Sequence, residues 1–371
     1  MRIALIGGYR GLPAGLPGSA GGEAYQEQLA LRLVRRGHQV TAYNRNAYCR
    51  VSPGEPYEGV RRFALPSLPA RSLATLSHSL LATIHVIRHD TGDLVQIHGM
   101  GGALWLPLLR TAGKRSVVML GGSVDWLRPG WGPVARGVLR LAARSAGRWA
   151  DALYVDNGPA RELLQGYLRR PVHLIPTGAE TWPDPGGDRL AAFGVEKGRY
   201  VFHASGLTAA KGIDTLVDAF ALLRTDLDLV IAGPPLARRN GNRPFVPEDV
   251  RLHFVGHVSG EARRQLYEHA AVYVQPSLVE GSSPSLLAAM GCGVCPVVSD
   301  ILANLDVVGD AGVAFRVGDV EDLRSKLQWR LDHLEETKRL GTAAAARARA
   351  LFDWEWVVDK FEALCQQMIN Q

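Results

Sequence analysis

A short polar segment, residues 280–284, combines groups that can hold a hydroxylated, negatively charged ligand. Glu280 supplies a carboxylate that can accept hydrogen bonds from ligand hydroxyls. The small residues after it leave backbone N–H groups accessible: Gly281, Ser282 and Ser283. A proline and an apolar helical pattern follow, and the N-terminus of a helix attracts anions. The segment therefore predicts a site for an anion beside a hydroxylated group.

Two glycines, Gly21 and Gly22, stand at the entrance of the first predicted helix. Glycine there would let a phosphate approach the free backbone N–H groups closely, although glycines also form ordinary tight turns. A nicotinamide site fits less well, because the spacing is not G-x-G-x-x-G. The next strand also lacks a ribose-binding acid at its end, where the sequence reads Tyr43, Asn44 and Arg45.

These groups must be positioned by elements that alternate along the chain in two series. In the first series, a helix is predicted at 23–37 and strands at 2–8, 38–44, 93–99 and 115–122. After 173–180 the alternation restarts, with strands at 200–205, 227–233, 252–256, 272–277 and 295–300. Helices are predicted between them at 212–224, 261–270 and 285–291. The pattern predicts an α/β fold with two parallel-sheet domains facing a cleft, and ligands at the carboxyl ends of the strands.

Composition indicates a soluble globular chain, with 47% hydrophobic and 21% charged residues. Its 371 residues suggest two domains, and no apolar run reaches the ~20 residues of a membrane span. Four cysteines favour a reducing, cytoplasmic location. Cys292 and Cys295 form a C-x-x-C without a second pair, so we expect neither a zinc site nor a redox site there.

Charge is uneven along the chain. Residues 1–175 contain 22 Lys and Arg against 10 Asp and Glu, whereas the remainder contains 20 against 26. A phosphorylated acceptor or an anionic membrane surface would fit the basic half, and a solvated arginine-rich face is the alternative. Nucleic acid is not expected, because no basic–aromatic cluster is present. The amphipathic helix predicted at 72–89 suits core packing, with membrane docking as the alternative.

Several stretches resemble glycosyltransferase family 4, nearest its rhamnosyltransferase-like subgroup. They lie at 6–45, 125–132, 150–157, 174–180, 206–223, 280–300 and 307–315. The resemblance implies the GT-B architecture of two Rossmann-like, doubly wound domains facing a cleft. An acceptor-side domain would span 1–176 and a donor-nucleotide domain 177–350, and a helix within 351–371 would cross back to the first domain.

The resemblance also implies a function. It points to a retaining, metal-independent enzyme without a cofactor, which moves a sugar from a nucleoside-diphosphate sugar to a glycan, lipid-linked or small-molecule acceptor. Glu280 matches the first carboxylate of the family's E-x7-E motif, which grips donor-sugar hydroxyls. Lys211 matches the basic residue that meets the diphosphate, and His257 lies where the nucleobase loop begins. Without a ligand, Glu280 could instead serve the following helix as an N-cap partner, and Lys211 could be an ordinary exposed lysine.

The sequence departs from the family at four positions. Ala288 replaces the second carboxylate of the motif, which binds the ribose, and Gly206 replaces the diphosphate-binding arginine. Ala210 replaces a glutamate, and Gly122 replaces a polar residue that follows the fourth core strand. Losing the arginine and the ribose carboxylate could weaken donor binding by about 3–6 kcal/mol. Other arginines could compensate, and three lie in predicted strand-end loops: Arg10, Arg238 and Arg239.

The first domain offers its own candidates. Asp125 could orient an acceptor hydroxyl, or it could cap a helix. Arg10 and His98 lie at predicted strand ends on the acceptor side, and His98 could equally be a satisfied, partly buried histidine. His203 fits a loop or strand-end role.

Three functions remain open from the sequence. The first is the glycosyltransferase. The second is a catalytically reduced relative that acts as a partner subunit or binding module, which the losses at Gly122, Gly206 and Ala288 would favour. The third, a sugar-nucleotide epimerase, lacks an acid–base pair that can be assigned.

Overall fold

A computed structural model describes residues 1–7, 10–14, 21–69, 71–122, 124–127, 131–182, 186–233 and 249–369. The chain divides into two compact units. Unit 1 contains residues 1–177 and 354–371, and unit 2 contains residues 178–353. The sequence had predicted domain limits at 176 and 350. Arg238 and Arg239 lie outside the described residues.

Unit 1 is built on an eight-stranded sheet. Its strands are β1 (Arg2–Gly7), β2 (Gln39–Arg45), β3 (Pro56–Tyr57), β4 (Val60–Leu65), β5 (Leu94–His98), β6 (Arg115–Met119), β7 (Ala152–Val155) and β8 (His173–Leu174). The order across the sheet is β3-β4-β2-β1-β5-β6-β7-β8. All neighbours are parallel except β3 and β4. The central strands are continuous apolar runs, because helices cover both faces of the sheet.

Five helices of unit 1 precede the crossing into unit 2. They are α1 (Gly21–Arg35), α2 (Arg71–His89), α3 (Leu106–Thr111), α4 (Pro133–Trp149) and α5 (Gly158–Leu168). Local signals set their limits. The side chain of Asn157 caps α5 by accepting a hydrogen bond from the Ala160 N–H, and a proline occupies its first turn. Buried residues of α2, including Ala82 and Val86, pack into the core, as the sequence predicted.

Unit 2 is built on a six-stranded parallel sheet. Its strands are β9 (Tyr200–Ala204), β10 (Asp228–Ala232), β11 (Leu252–Gly256), β12 (Val272–Gln275), β13 (Pro296–Ser299) and β14 (Val313–Phe315). Their order is β11-β10-β9-β12-β13-β14. The chain runs outward from β9 in one direction and returns to its other side at β12. The boundary between β9 and β12 is therefore the point where strand order reverses, and open α/β sheets bind ligands beside such a point.

Seven more α-helices follow in the described part of the chain, six of them in unit 2. These are α6 (Ile213–Ala221), α7 (Gly260–Glu268), α8 (Pro284–Gly291), α9 (Leu302–Val308), α10 (Val320–Asp332) and α11 (Leu334–Leu351). The seventh is α12 (Trp354–Ile369), which ends the described chain. One face of the unit 2 sheet packs against α7, α8 and α11, and the other packs against α6 and α10. Within the described ranges, no helix has the length and apolar character that crossing a membrane requires.

The last helix belongs to unit 1. Buried residues of α12, among them Trp354, Val357 and Phe361, pack with α1 and the sheet of that unit. Arg36, just after α1, pairs with Glu355, Asp359 and Glu362 of α12 at 2.6 Å each. An apolar face and a charged rim thus hold the C-terminal helix in place, as expected of a helix that returns to the first half of the chain.

Candidate functional site

Glu280 lies just beyond β12, at the strand-order reversal of unit 2. Its Oε1 accepts hydrogen bonds from Gln275 Nε2 and Ser277 Oγ, both at 2.7 Å, and from the Lys211 ammonium. The Glu280 side chain is only 9% exposed, so these donors replace water around the charge. The Oε2 atom has no hydrogen-bond partner among the described residues. Glu280 is therefore a fixed carboxylate with one oxygen available to a ligand.

Lys211 reaches Glu280 because two loops approach closely. Lys211 is the last residue of a short 3₁₀ helix, Ala209–Lys211. Gly212 follows in a left-handed conformation with φ of 64°. A Cβ at Gly212 would lie 2.1 Å from the carbonyl oxygen of Pro276, so only glycine fits there. The Leu278 N–H also donates to the Ala210 carbonyl at 2.9 Å. These contacts fix the loop after β9 against the loop after β12.

The residues after Glu280 lead into α8. Ser283 is the N-cap, and its Oγ accepts a hydrogen bond from the Leu286 N–H at 3.3 Å. Ser282 and Ser283 are 7% and 6% exposed, whereas Gly281 is half-buried. The expected proximity of Glu280 to a helix N-terminus is thus present, but Ser283 provides the cap instead of Glu280.

His203 stabilises the same edge of the sheet. Its Nδ1–H donates to the Val274 carbonyl at 2.7 Å, and its Nε2 accepts from Ser205 Oγ at 2.7 Å. Burial lowers the pKa of His203 to about 4, so the imidazole is neutral. It links β9 to β12 and serves as a structural residue beneath the loops. The sequence placed it at a strand end but did not indicate this cross-strand link.

In unit 1, His98 lies beside the start of α1. Gly21 and Gly22 are the first two residues of that helix, and a Cβ at Gly22 would lie 3.2 Å from His98 Nε2. The Tyr25 ring packs on His98 with centroids 5.5 Å apart. Burial lowers the pKa of His98 to about 4. Its Nδ1 is buried without a hydrogen-bond partner among the described residues, so the expected satisfied histidine is not observed.

Arg10 and Asp125 lie in other surroundings of unit 1. The Arg10 backbone N–H donates to Glu23 Oε1 at 2.9 Å, and its guanidinium lies 4.3 Å from the centroid of the Tyr48 ring. Asp125 begins a short 3₁₀ helix, and the next residue, Trp126, packs against Tyr167 with ring centroids 5.0 Å apart.

Two other features singled out in the sequence, His257 and the C-x-x-C pair Cys292 and Cys295, also belong to unit 2. His257 is exposed after the edge strand β11, and β10 separates that strand from β9. Cys292 and Cys295 are both free, and burial raises the pKa of each thiol to about 12. In the described parts of the chain, no group of three or more His, Cys, Asp or Glu side chains is arranged to hold a metal ion.

Comparison with known families covers both halves of the chain. Residues 19–182 match the model of Glycosyltransferase Family 4, and residues 198–333 match a model of the Glycosyl transferases group 1. By sequence family, this is a GT4-type glycosyltransferase. The strand-end sites described above therefore lie in two domains of glycosyltransferase ancestry.

Individual relatives of this GT4-type chain are distant. The MMP alpha-(1->4)-mannosyltransferase of Mycolicibacterium hassiacum is 28% identical over 243 residues, which are 63% of this chain and 58% of that protein. Sucrose-phosphate synthase from Thermosynechococcus elongatus superposes with a TM-score of 0.83 and 21% identity, covering 99% of both chains. Anabaena HepE, solved with UDP and glucose, gives a TM-score of 0.76 and 18% identity over 99% of this chain and 100% of its own. These structures confirm the predicted GT-B fold.

Two positions at which this GT4-type chain departs from the family pattern, Gly206 and Ala288, have different surroundings. A Cβ at Gly206 would meet no atom of the described residues within 4 Å, so these residues leave room for a side chain there. Ala288, in contrast, is fully buried on α8 within the apolar core of unit 2. The sequence predicted a position facing a ligand, but the surrounding chain already covers it.

The third departure, Gly122, has a steric reason. A Cβ there would lie 2.0 Å from Asp156 Oδ1, so the Asp156 carboxylate takes the space of any side chain at 122. Asn157 Nδ2 donates both to the Gly122 carbonyl at 2.7 Å and to Asp156 Oδ1 at 2.9 Å. The sequence indicated Asp125 as a candidate to orient an acceptor hydroxyl but did not indicate Asp156. Its position directly after β7, a neighbour of β6, was the available signal.

Proposed function

We propose that this protein transfers a sugar from a nucleoside-diphosphate sugar to a glycan, lipid-linked or small-molecule acceptor, with retention of configuration and without a metal ion. The observation that carries the proposal is the Glu280 carboxylate, fixed beside the Lys211 ammonium at the strand-order reversal of unit 2. A carboxylate can orient sugar hydroxyls, and an adjacent ammonium can neutralise a departing diphosphate.

The two charged groups would bind different parts of the donor. Glu280 Oε2 would accept from a hydroxyl of the sugar, while Oε1 keeps its bonds to Gln275 and Ser277. Lys211, whose side chain is 25% exposed, would turn from Glu280 toward the diphosphate. The backbone amides near the start of α8 would add partial positive charge. Because these donors need no cation, the proposal includes neither a metal nor a cofactor.

On the acceptor side, we propose that Asp156 orients the acceptor hydroxyl. Its carboxylate stands beside Gly122, where the family carries a polar side chain, so it could supply the missing group from the next strand. Asp125 is the second candidate for this role, and Arg10 and His98 are candidates for contacts to the acceptor.

Calorimetric titration with UDP, dTDP and GDP tests donor binding. HepE was solved with UDP, which makes UDP the first ligand to try. We expect at least one diphosphate to bind, and Lys211→Met to weaken it by about 1.5–3 kcal/mol. An exposed lysine of unit 2, changed as Lys326→Met, serves as the matched control.

The reaction itself is tested with nucleoside-diphosphate sugars, chosen so that their nucleotide is one that binds in the titration. Proton NMR of the product reports the anomeric configuration, and transfer in the presence of EDTA reports metal dependence. Retention with undiminished transfer in EDTA supports the proposal. If no diphosphate binds and no donor is cleaved or transferred, the protein is instead a catalytically reduced relative.

A further inference from the structure

Helix α4 of unit 1 carries a row of four arginines on its solvent side. Arg136, Arg140, Arg144 and Arg148 follow at intervals of four residues, and all four are exposed. Residues four apart are neighbours on a helix surface, so the guanidinium groups form one continuous stripe.

A second stripe on the same helix is apolar and also exposed. Val134 is 81% exposed, Leu141 58% and Trp149 37%. At about 100° per residue, these three side chains lie within one narrow arc, directly beside the arc of the arginines. The opposite side of the helix is buried through Ala142, Ala143 and Ala146. The solvent side of α4 therefore has a basic half and an apolar half.

Among the residues that the structure describes, the arginine stripe takes part in no ion-pair network. The sequence of α4 contains no Asp or Glu, and none of its four arginines pairs with a carboxylate among the described residues. By contrast, a single arginine elsewhere in unit 1, Arg36, pairs with three carboxylates of α12. Like charges four residues apart disfavour a helix, so the stripe does not serve the stability of α4.

We infer that the exposed side of α4 docks on an anionic lipid bilayer. A helix at a membrane interface places basic side chains at the lipid headgroups and inserts apolar ones between them, with tryptophan at the boundary. Charge complementarity alone would fit any polyanion. The exposed Val134 and Leu141 favour lipid, because a solvated nucleic acid or acidic peptide offers them no apolar environment.

Vesicle flotation with the whole 371-residue chain tests whether membrane binding depends on the charge of the four arginines. Vesicles contain phosphatidylcholine, either alone or with about 30 mol% phosphatidylglycerol. We expect binding only to the anionic vesicles, and a loss of about 100-fold or more when the four arginines become glutamine. The matched control replaces four exposed cations of unit 2 with glutamine: Arg224, Lys326, Arg339 and Arg349. It should bind as the wild type does.

A second variant tests insertion. Val134→Ser with Leu141→Ser keeps all four arginines and should weaken anionic-vesicle binding at least tenfold, with little effect on retention by heparin. Equal vesicle binding by wild type and the arginine variant would overturn the inference, as would an equal loss in the unit 2 control. Heparin retention without vesicle binding, or concentration-dependent dimers abolished by the serine changes, would assign this face to a polyanion or to a second copy instead.

Discussion

At the scale of single residues, Glu280 combines a role in stability with a proposed role in binding. Its Oε1 accepts three hydrogen bonds in a nearly enclosed position. Glu280→Gln keeps the size but removes the charge that faces Lys211. We expect a loss of about 1–3 kcal/mol in unfolding free energy, together with a fall of at least 100-fold in sugar transfer.

Chemical denaturation and a transfer assay measure the two effects separately. Glu321→Gln is the control, because Glu321 is an exposed carboxylate that pairs with Arg324 on the surface of α10. That change should cost less than about 1 kcal/mol and leave transfer intact. Full transfer activity in Glu280→Gln would remove Glu280 from the proposed donor site.

Gly206 offers a test by gain of function. Since a Cβ there meets no atom of the described residues within 4 Å, they can accommodate Gly206→Arg, which would restore the family's diphosphate-binding arginine. We expect nucleoside diphosphates to bind about 1.5–3 kcal/mol more tightly, as measured by calorimetry. Gly166→Arg adds the same charge at an open, exposed position of α5 and should have no such effect. Unchanged affinity in both variants would mean that the diphosphate does not pass Gly206.

At the scale of elements, α8 serves both the candidate site and the core. Its N-terminus follows Glu280, whereas Ala288, in its second turn, is fully buried. Ala288→Glu would place a charge in an apolar core, so we expect unit 2 to lose on the order of 3 kcal/mol or more of stability. Ala346→Glu on the exposed side of α11 is the matched control and should stay within about 0.5 kcal/mol.

The opposite outcome of that experiment would also be informative. If Ala288→Glu folds with unchanged stability and binds nucleotides more tightly, position 288 opens onto the ligand as it does in the family. The burial of Ala288 would then be limited to the ligand-free protein.

The apolar runs made the strands of both sheets predictable, because parallel strands covered on both faces are apolar throughout. The fold class followed from their alternation with helices. Helix α4 was not among the predicted helices; its buried side consists mainly of alanines, and its outer side mixes arginine with apolar residues. The arginines at every fourth residue were nevertheless a helical signal in the sequence, and it was overlooked. The strands β3 and β8 have 2 residues each, which is too few to show the apolar pattern of a strand in the sequence.

Within the candidate site, the sequence predicted individual groups better than their partners. The closeness of Glu280 and Lys211 was implied by their family roles, but their direct pairing depends on the contact between Gly212 and Pro276. Asp156 was missed because its importance comes from its distance to Gly122, which lies on a different strand end. The position of Asp156 directly after β7 indicates a strand end, but its closeness to Gly122 is fixed by the register of the sheet.

At the scale of the whole molecule, buried histidines predict sensitivity to acid. Burial lowers the pKa of His78, His98 and His203 to about 4 from an ordinary value of 6.5. Between these two pH values the unfolded chain binds protons that the folded chain does not. Stability should therefore be greatest above pH 6.5 and fall as the pH drops toward 4, by at most roughly 3 kcal/mol for each histidine.

Urea denaturation at pH 7.5 and pH 5 measures this loss. His203→Gln should reduce the difference between the two pH values for unit 2, even if the variant is less stable overall. His257→Gln, which changes an exposed histidine of the same unit, should not. An identical pH dependence in wild type and His203→Gln would contradict the assignment.

Because α12 packs on unit 1 while residues 178–353 form unit 2, the first unit is encoded in two separated parts of the gene. A recombinant fragment stopped at residue 177 would leave uncovered the apolar surface that Val357 and Phe361 otherwise contact. Expressing that half alone calls for a circular permutation, in which the terminal helix is fused ahead of Met1 through a flexible linker, or for a synthetic peptide supplied in trans.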